Sequence, residues 1–395
     1  MSTLYEVYLK DENGLRDTLV EGLTSITATF RSNEPIKWKF EGSGLEPCPL
    51  AEGADIAVFR NGTILFCGYV CEIATTYDAS TRIYDWEIEG LSDLGKLSRR
   101  LIYPIPSVTP PDPDEMYSAT GKLSVVLLDL IKKNAANSAL AGRRIPWLSV
   151  SAQTEIGDTV NIETEPVELL KYIRDKLNDT DLVIREVWDM AAGSWDILVR
   201  NPQDISDKVI FSTDNGSLSA WERTIKAPKA NWLLVTGCQK PINENDPDSE
   251  EDTMTAIVMD NASISKWGRI EAVVSRGDIR RDKDGGESWA FVAQRLQAAA
   301  YEELEKASAQ FGYKLTTTEI PRNVFPEDYD IGDIVAVRIG TDEFTAKVDE
   351  IKVAYSEGVE TIEPSVGTQQ RGELQSVFTE LGTLKEQIKV LQQSR

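Results

Sequence analysis

"DIAVFRNGTILFCGYVCEIATTY", Asp55–Tyr77, decides the fold. An apolar strand runs into Asn61-Gly62, and a second apolar strand leaves it. Asn-Gly supplies the positive φ angles of a tight type I′ turn, so the stretch predicts a β-hairpin. Working outward, the same apolar patterning predicts strands in "LYEVYL" (Leu4–Leu9), "LTSITATF" (Leu23–Phe30), "IKWKF" (Ile36–Phe40) and "RIYDWEIEGL" (Arg82–Leu91). "KDENG" (Lys10–Gly14) reads as a turn between the first of them and the next. Many short strands at this spacing predict a small antiparallel barrel or sandwich. "SDLGKLSRRLIYP" (Ser92–Pro104) then predicts a short helix with Ser92 as its N-cap.

The stretch Pro104–Ser118 carries five prolines and reads as an extended linker. A helix is expected at about 121–136, with Leu123, Val126, Leu127, Leu130 and Ile131 on one side. Residues 146–162 read as two strands around Gly157-Asp158. Thr164 is expected to cap a further helix, with Pro166 in its first turn and Val167, Leu169, Leu170, Ile173 and Leu177 as its apolar stripe. "DLVIREVWDM" and "WDILVR" predict a hairpin, which makes the middle of the chain α+β. From about 207 strands return. An Ala/Glu/Leu-rich helix is expected at 287–309, and three more strands close the sheet.

Composition excludes several function classes. The chain has 395 residues, with 65 Asp and Glu against 42 Lys and Arg, a net charge of −23. A protein that grips nucleic acid neutralises phosphates with clustered cations. The densest basic group, Arg276, Arg280, Arg281 and Lys283, is diluted by Asp278, Asp282 and Asp284. An acidic wall would still let DNA slide past without sticking. Histidine is absent, which removes the commonest general base, the commonest zinc ligand and any serine–histidine or cysteine–histidine pair. Cys67 and Cys71, four apart in one strand, share a face about 13 Å apart, too far for a disulfide. With Cys48 and Cys238 they read as buried reduced thiols, which suits a reducing cytoplasm. No signal peptide is visible, and no apolar run approaches a membrane span of roughly 18 residues.

Candidate chemistry is sparse. No Walker loop, GxGxxG, GxSxG or CxxC occurs. Asp328, Asp330 and Asp333 could hold a cation, but read as a solvated turn before the Ile331–Ile339 strand. "NENDPDSEED" (Asn243–Asp252) reads as an acidic hairpin tip without the spacing of an EF-hand. Trp86, Trp188, Trp195 and Trp232 could line a sugar cleft beside Asp85 and Glu87. Trp38 and Trp86, however, sit in alternating strands and read as core. No catalytic, cofactor-binding or metal-binding residue is assigned.

The closing segment, residues 371–393, is different. Leu374, Val377, Leu381, Leu384, Ile388 and Leu391 follow spacings of 3, 4, 3, 4 and 3, an a/d heptad register. Glu380 and Lys385 stand five apart, the geometry of an ion pair between parallel helices. The segment predicts a helix that pairs with copies of itself, two to four of them, or with a partner.

The order of parts resembles the tail-tip or baseplate hub proteins of tailed phages, in particular the hub-like minor tail proteins of siphophages. The resemblance rests on "AVFRNGTILFCGYV", "WEIEGLSDLGKLSRRLI", "TEPVELLKYIRDKL", "KAPKANWLLVTG", "RIEAVVSRGDIR" and "YDIGDIVAVRI" in that order, over roughly residues 4–367. It implies a mainly β, α+β chain. Two barrel-like antiparallel β domains (1–103 and 220–367) flank a linker and an α+β middle domain (104–219), and a coiled-coil helix (371–395) follows. It implies a homotrimer whose barrels alternate around a ring and adapt a sixfold tail tube to a threefold tip. The distal tail protein, the tape measure protein and other tail-tip proteins would be its partners. DNA would pass through without specific binding, and the chain, made in the host cytoplasm, would reside in the virion. It implies no enzyme and no cofactor. Two other readings stand beside it: a carbohydrate-binding or carbohydrate-cleaving tail-tip protein using Trp and Asp/Glu, and a trimeric adhesin-like protein.

Overall fold

The computed structural model describes residues 4–105, 108, 115–178, 180–242, 250–281, 287–340 and 342–369. The expected closing helix, with Leu374, Val377, Glu380, Leu381, Leu384, Lys385, Ile388 and Leu391, lies outside the described residues, as does most of the acidic run. The described residues divide into two compact units, one drawn from 4–222 and 314–366, the other from 223–313 and 367–369.

The first unit begins with β1 (Tyr5–Lys10), β2 (Arg16–Leu19), β3 (Leu23–Arg31), β4 (Lys37–Gly44), β5 (Asp55–Arg60), β6 (Thr63–Asp78) and β7 (Ile83–Ser92). The deciding hairpin forms as read: β5 and β6 pair antiparallel, and Asn61 (φ 52°) and Gly62 (φ 79°) take the left-handed conformations of the turn. The pairing of β6 with β7 slips between Val70 and Glu72, so Cys71 is the extra residue of a β-bulge. Phe66–Val70 are all buried, whereas from Cys71 to Asp78 the strand is exposed apart from half-buried Ile73. Cys67 is therefore buried while Cys71 is exposed, which corrects the expectation that both point inward.

Two tryptophan–glycine pairs lock β4 to β7. Trp38 lies opposite Gly90, and Trp86 opposite Gly42. A Cβ on Gly90 would stand 2.1 Å from the Trp38 ring and 2.2 Å from the Tyr69 carbonyl oxygen. Trp38 is itself stacked on Phe40 at 4.5 Å, so it has nowhere to swing. Gly90→Ala is expected to cost about 1–3 kcal/mol through overpacking. Urea unfolding checks this, and a loss below roughly 0.5 kcal/mol would mean that the indole moves aside.

After the 3₁₀ turn Asp93–Arg99 comes the α+β insert. It contains β8 (Tyr117–Lys122), α1 (Leu123–Asn134), β9 (Leu148–Ser149), β10 (Thr159–Thr164), α2 (Leu169–Asn178), β11 (Val183–Asp189) and β12 (Ser194–Arg200). Its core gathers Leu127, Leu130 and Ile131 of α1, Leu169, Ile173 and Leu177 of α2, and Trp195 and Ile197 of β12. Two local expectations change here. The Ser92 hydroxyl caps nothing and accepts the Ile36 amide instead (3.0 Å). Thr164 ends β10, and α2 starts only at Leu169, leaving Val167 36% exposed and outside the stripe. The strands around Gly157 do not pair with each other: β10 pairs with β8, and β9 runs parallel to β12.

Strands β13 (Ile210–Ser212) and β14 (Leu218–Lys226) follow. The second unit then holds β15 (Trp232–Pro241), β16 (Glu251–Met259), α3 (Asn261–Trp267), β17 (Glu271–Ser275) and α4 (Trp289–Lys306). It is a three-stranded sheet, β16-β15-β17, with Val292, Leu296, Ala299, Ala300 and Leu304 of α4 in its core. Ser288 caps α4 by accepting the Phe291 amide (3.3 Å). Asp260 caps α3, a short helix with no apolar stripe that sequence reading missed.

The chain ends its described course in β18 (Gln310–Thr317), β19 (Ile334–Ile339), β20 (Asp342–Ser356) and β21 (Val359–Gln369). These strands extend the N-terminal sheet. The order is β14-β18-β21-β20-β3-β4-β7-β6-β5-β1-β2, with β19 joining β20 and β13 joining β19, thirteen strands in one sheet. Among the described residues this order does not return on itself, so the expected pair of barrels is an open sheet. The cause is β20, which pairs with β19 along Asp342–Lys347 and with β3 along Glu350–Ser356. Across the sheet, Arg60 on β5 pairs with Glu360 on β21 (2.6 Å) and with Glu319 (2.7 Å). No described helix is long and apolar enough to cross a membrane.

Candidate functional site

The chemistry of the first unit concentrates where the 3₁₀ turn Asp93–Arg99 meets β1, β5 and β11. Lys10 leaves the end of β1 and reaches Asp93 at 2.9 Å, with both side chains fully buried. Lys96, one turn further on, bridges Asp93 (2.7 Å) and Asp55 of β5 (2.6 Å). The Lys10 ammonium also sits 3.9 Å from the centre of the Trp188 ring, a cation–π contact. Glu186 of β11 accepts the Leu94 amide with one oxygen, and its other oxygen has no hydrogen-bond partner among the described residues. Burial, with the Asp93 charge adding to it, pushes the Glu186 carboxyl up to about 8. Near neutral pH the group is therefore largely protonated, and two ammonium groups face two aspartates. This balance makes the cluster an ionic clamp between the N-terminal strands and the insert.

Beside the clamp opens a cavity of about 180 Å³, lined among others by Asp55, Tyr69, Lys96, Arg99, Arg100 and Ile145. Arg99 lies 4.2 Å from the centre of the Tyr69 ring. Arg100 donates to the backbone carbonyls of Arg143 (2.5 Å) and Arg144 (3.5 Å). Arg143 covers the Tyr103 ring at 3.4 Å, and Arg144 donates to the Ala139 carbonyl (3.0 Å). Two Arg-Arg doublets thus meet at one place. Sequence reading missed them, although each doublet is visible. Nothing in the linear order says that residues 43 apart converge.

The residues singled out in the sequence fare differently. Asp333 is buried rather than solvated: Arg200 pairs with it at 2.7 Å, and it accepts the Asp330 amide (2.9 Å). Asp330 is held by Arg185 at 2.7 Å, and Asp328 accepts the Val324 amide. The turn is solvated only in part because two arginines of the insert hairpin reach it. Among the described residues no group of acidic or cysteine side chains is placed to hold a metal ion. Trp38, Trp86 and Trp195 are core, with Asp85 and Glu87 on the opposite face of β7 from Trp86, so these residues do not converge on a cleft. Arg276 is spent on Asp278 (2.9 Å) and Glu303 (3.4 Å).

Comparison with known proteins adds the context. The family model described as Siphovirus ReqiPepy6 Gp37-like protein matches residues 6–368. No curated protein matches the sequence. Among solved structures, the fold is similar to that of the 43 kDa tail protein of prophage MuSo2 from Shewanella oneidensis. That match has 16% identity and a TM-score of 0.57, and covers 91% of this chain and 98% of that one. A tail protein from Neisseria meningitidis MC58 shares 12% identity at a TM-score of 0.57, covering 93% and 97%. Prophage tail protein gp18 from Listeria monocytogenes EGD-e shares 12% at 0.50, covering 96% and 99%. At such identities the likeness is one of fold.

Proposed function

This chain belongs to the siphovirus ReqiPepy6 Gp37-like family, and from that membership we propose that it is a structural subunit of a phage tail, the hub of its tip. The observation that carries the reading is end-to-end similarity of fold. The chain is matched over nearly its whole length by two bacterial or prophage tail proteins of which 97–98% is covered in turn. The hub is a homotrimeric ring in the virion. Each copy contributes β-rich segments from 1–103 and from 220–367, which alternate around the axis and join a sixfold tube to a threefold tip. The middle segment, 104–219, stands at the periphery.

The lumen passes the tape measure protein and then DNA. A net charge of −23 supports the conduit, because like charge keeps DNA from adhering. The ring contacts the distal tail protein and other tip proteins and catalyses no reaction. The helix 371–393 closes the trimer through Leu374, Val377, Leu381, Leu384, Ile388 and Leu391, with Glu380–Lys385 pairs along its flanks.

Cryo-EM of the intact particle tests the role. Density for this chain on a lateral fibre, away from the tail axis, would sink it. A second test addresses the trimer. Leu381→Asp with Leu384→Asp is expected to weaken self-association by at least about a hundredfold, on the order of 1.4 kcal/mol for each tenfold step. Light scattering reads the mass and circular dichroism the fold. Unchanged mass with a collapsed fold would mean that the helix packs on its own chain.

A further inference from the structure

We propose that the cavity beside the ionic clamp is a binding site for a dianionic oxyanion, inorganic phosphate or a phosphoryl group, held by Arg99 and Arg100. The site lies within the first unit and does not depend on the chain being a hub.

Three observations carry it. The first is the charge left over at the cavity wall, which Asp55, Lys96, Arg99 and Arg100 all line. Lys96 is 6% exposed and pairs with Asp55 (2.6 Å) and Asp93 (2.7 Å), and Asp93 pairs in turn with Lys10 (2.9 Å). Two lysines therefore balance two aspartates, and the two arginines remain. Among the described residues neither is in an ion pair, whereas Arg31, Arg60, Arg174, Arg185 and Arg200 each hold a carboxylate. Two positive charges on one wall match a doubly charged anion better than a singly charged carboxylate.

The second is that these cations are anchored but not neutralised. Arg100 donates to the carbonyls of Arg143 (2.5 Å) and Arg144 (3.5 Å), and Arg99 sits 4.2 Å from the centre of the Tyr69 ring. Carbonyls and a ring face fix a guanidinium without cancelling its charge, and its fork of N–H donors suits a phosphoryl group. Burial, with the Arg99 charge adding to it, lowers the Arg100 pKa. Burial, with the Arg100 charge adding to it, lowers that of Arg143. Cations crowd here without a counterion.

The third is size and position. The cavity measures about 180 Å³. A water takes about 30 Å³, so a phosphate fits with part of its hydration. The walls come from β5 and β6 (Asp55, Tyr69), from the 3₁₀ turn (Lys96, Arg99) and from the insert (Ile145, Pro146). A bound anion therefore ties the insert to the N-terminal sheet, and its binding stabilises the fold.

The experiment is a calorimetric titration of the full chain with inorganic phosphate, near neutral pH and at constant ionic strength. One saturable site is expected, with a dissociation constant of about 1 mM or tighter. Arg99→Gln is expected to weaken it at least about tenfold, through loss of a charge-assisted hydrogen bond. Arg99 is exposed, so this variant keeps the wild-type fold, which circular dichroism checks. Phosphate should raise the melting temperature of the wild type and not that of Arg99→Gln. An equal rise in both is general salt stabilisation and overturns the site. Acetate is expected to bind at least about tenfold more weakly than phosphate, and equal affinity overturns the dianion assignment. Glycerol phosphate separates the two sources: binding as tight as that of phosphate assigns a phosphoryl group on a larger molecule, exclusion assigns the free anion, and both uphold the site. No saturable heat up to about 10 mM phosphate overturns it, as does wild-type affinity in both Arg99→Gln and Arg100→Gln.

Discussion

Lys10→Met is expected to destabilise the chain by about 3–5 kcal/mol, because it strands a buried carboxylate. Asp93 has no exposed surface, and Lys10 and Lys96 are the cations that pair with it among the described residues. Methionine replaces the stem of Lys10, so the loss reports charge rather than packing. The Trp188 ring loses its cation in the same step. Lys96 then faces Asp55 and Asp93 alone and cannot neutralise both. Urea unfolding at pH 7 measures the loss. A change under about 1 kcal/mol would mean that water reaches the clamp in solution and screens it.

The second large effect is one of pH. Glu186 titrates at about 8 in the fold, against 4.5 for an ordinary glutamate. A carboxyl with a raised folded pKa binds its proton more tightly in the native state than in the unfolded one. Stability is therefore highest below the unfolded value, falls as pH rises from about 4.5 to about 8, and levels off above. Each tenfold difference in proton affinity is worth about 1.4 kcal/mol, so the decline amounts to several kcal/mol in order of magnitude. Glu186→Gln is expected to flatten this slope, with little change at pH 5 and a clear gain at pH 8 and above. Melting curves across that range read it directly. A variant with the wild-type slope would place the titrating group elsewhere.

The sequence made the local hairpins legible because their signals are local. Asn61-Gly62 dictates one turn, and alternation in "WDILVR" against "LVIREVWD" dictates another. The amphipathic stripes of α1 and α2 were readable for the same reason. What stayed hidden depends on residues far apart or on single insertions. The bulge at Cys71, and the exposure of β6 beyond Val70, come with no change in hydropathy pattern strong enough to announce them. The ionic clamp needs Lys10, Asp55, Lys96 and Glu186 brought from four separate elements, and each looks like an ordinary surface charge in the linear chain. Thr164 carried a capping signature but is held in β10 by pairing with Tyr117, and that tertiary pairing outweighs the local preference. Open sheet versus barrel could not be read at all, since it turns on which strand β3 chooses as its neighbour.

That choice has a consequence in time. The Arg31–Glu350 ion pair on β3 and β20 joins residues 319 apart. During synthesis at about 5–20 residues per second, the edge of β3 waits on the order of tens of seconds before its partner emerges from the ribosome. For that interval the nascent chain carries an unpaired strand edge of the kind that recruits other chains. Such non-local pairing also slows the folding that follows, because a long loop must close before any of its contacts form. Production of this protein is thus governed less by the stability of the finished sheet than by how the half-made one is protected until residue 350 arrives.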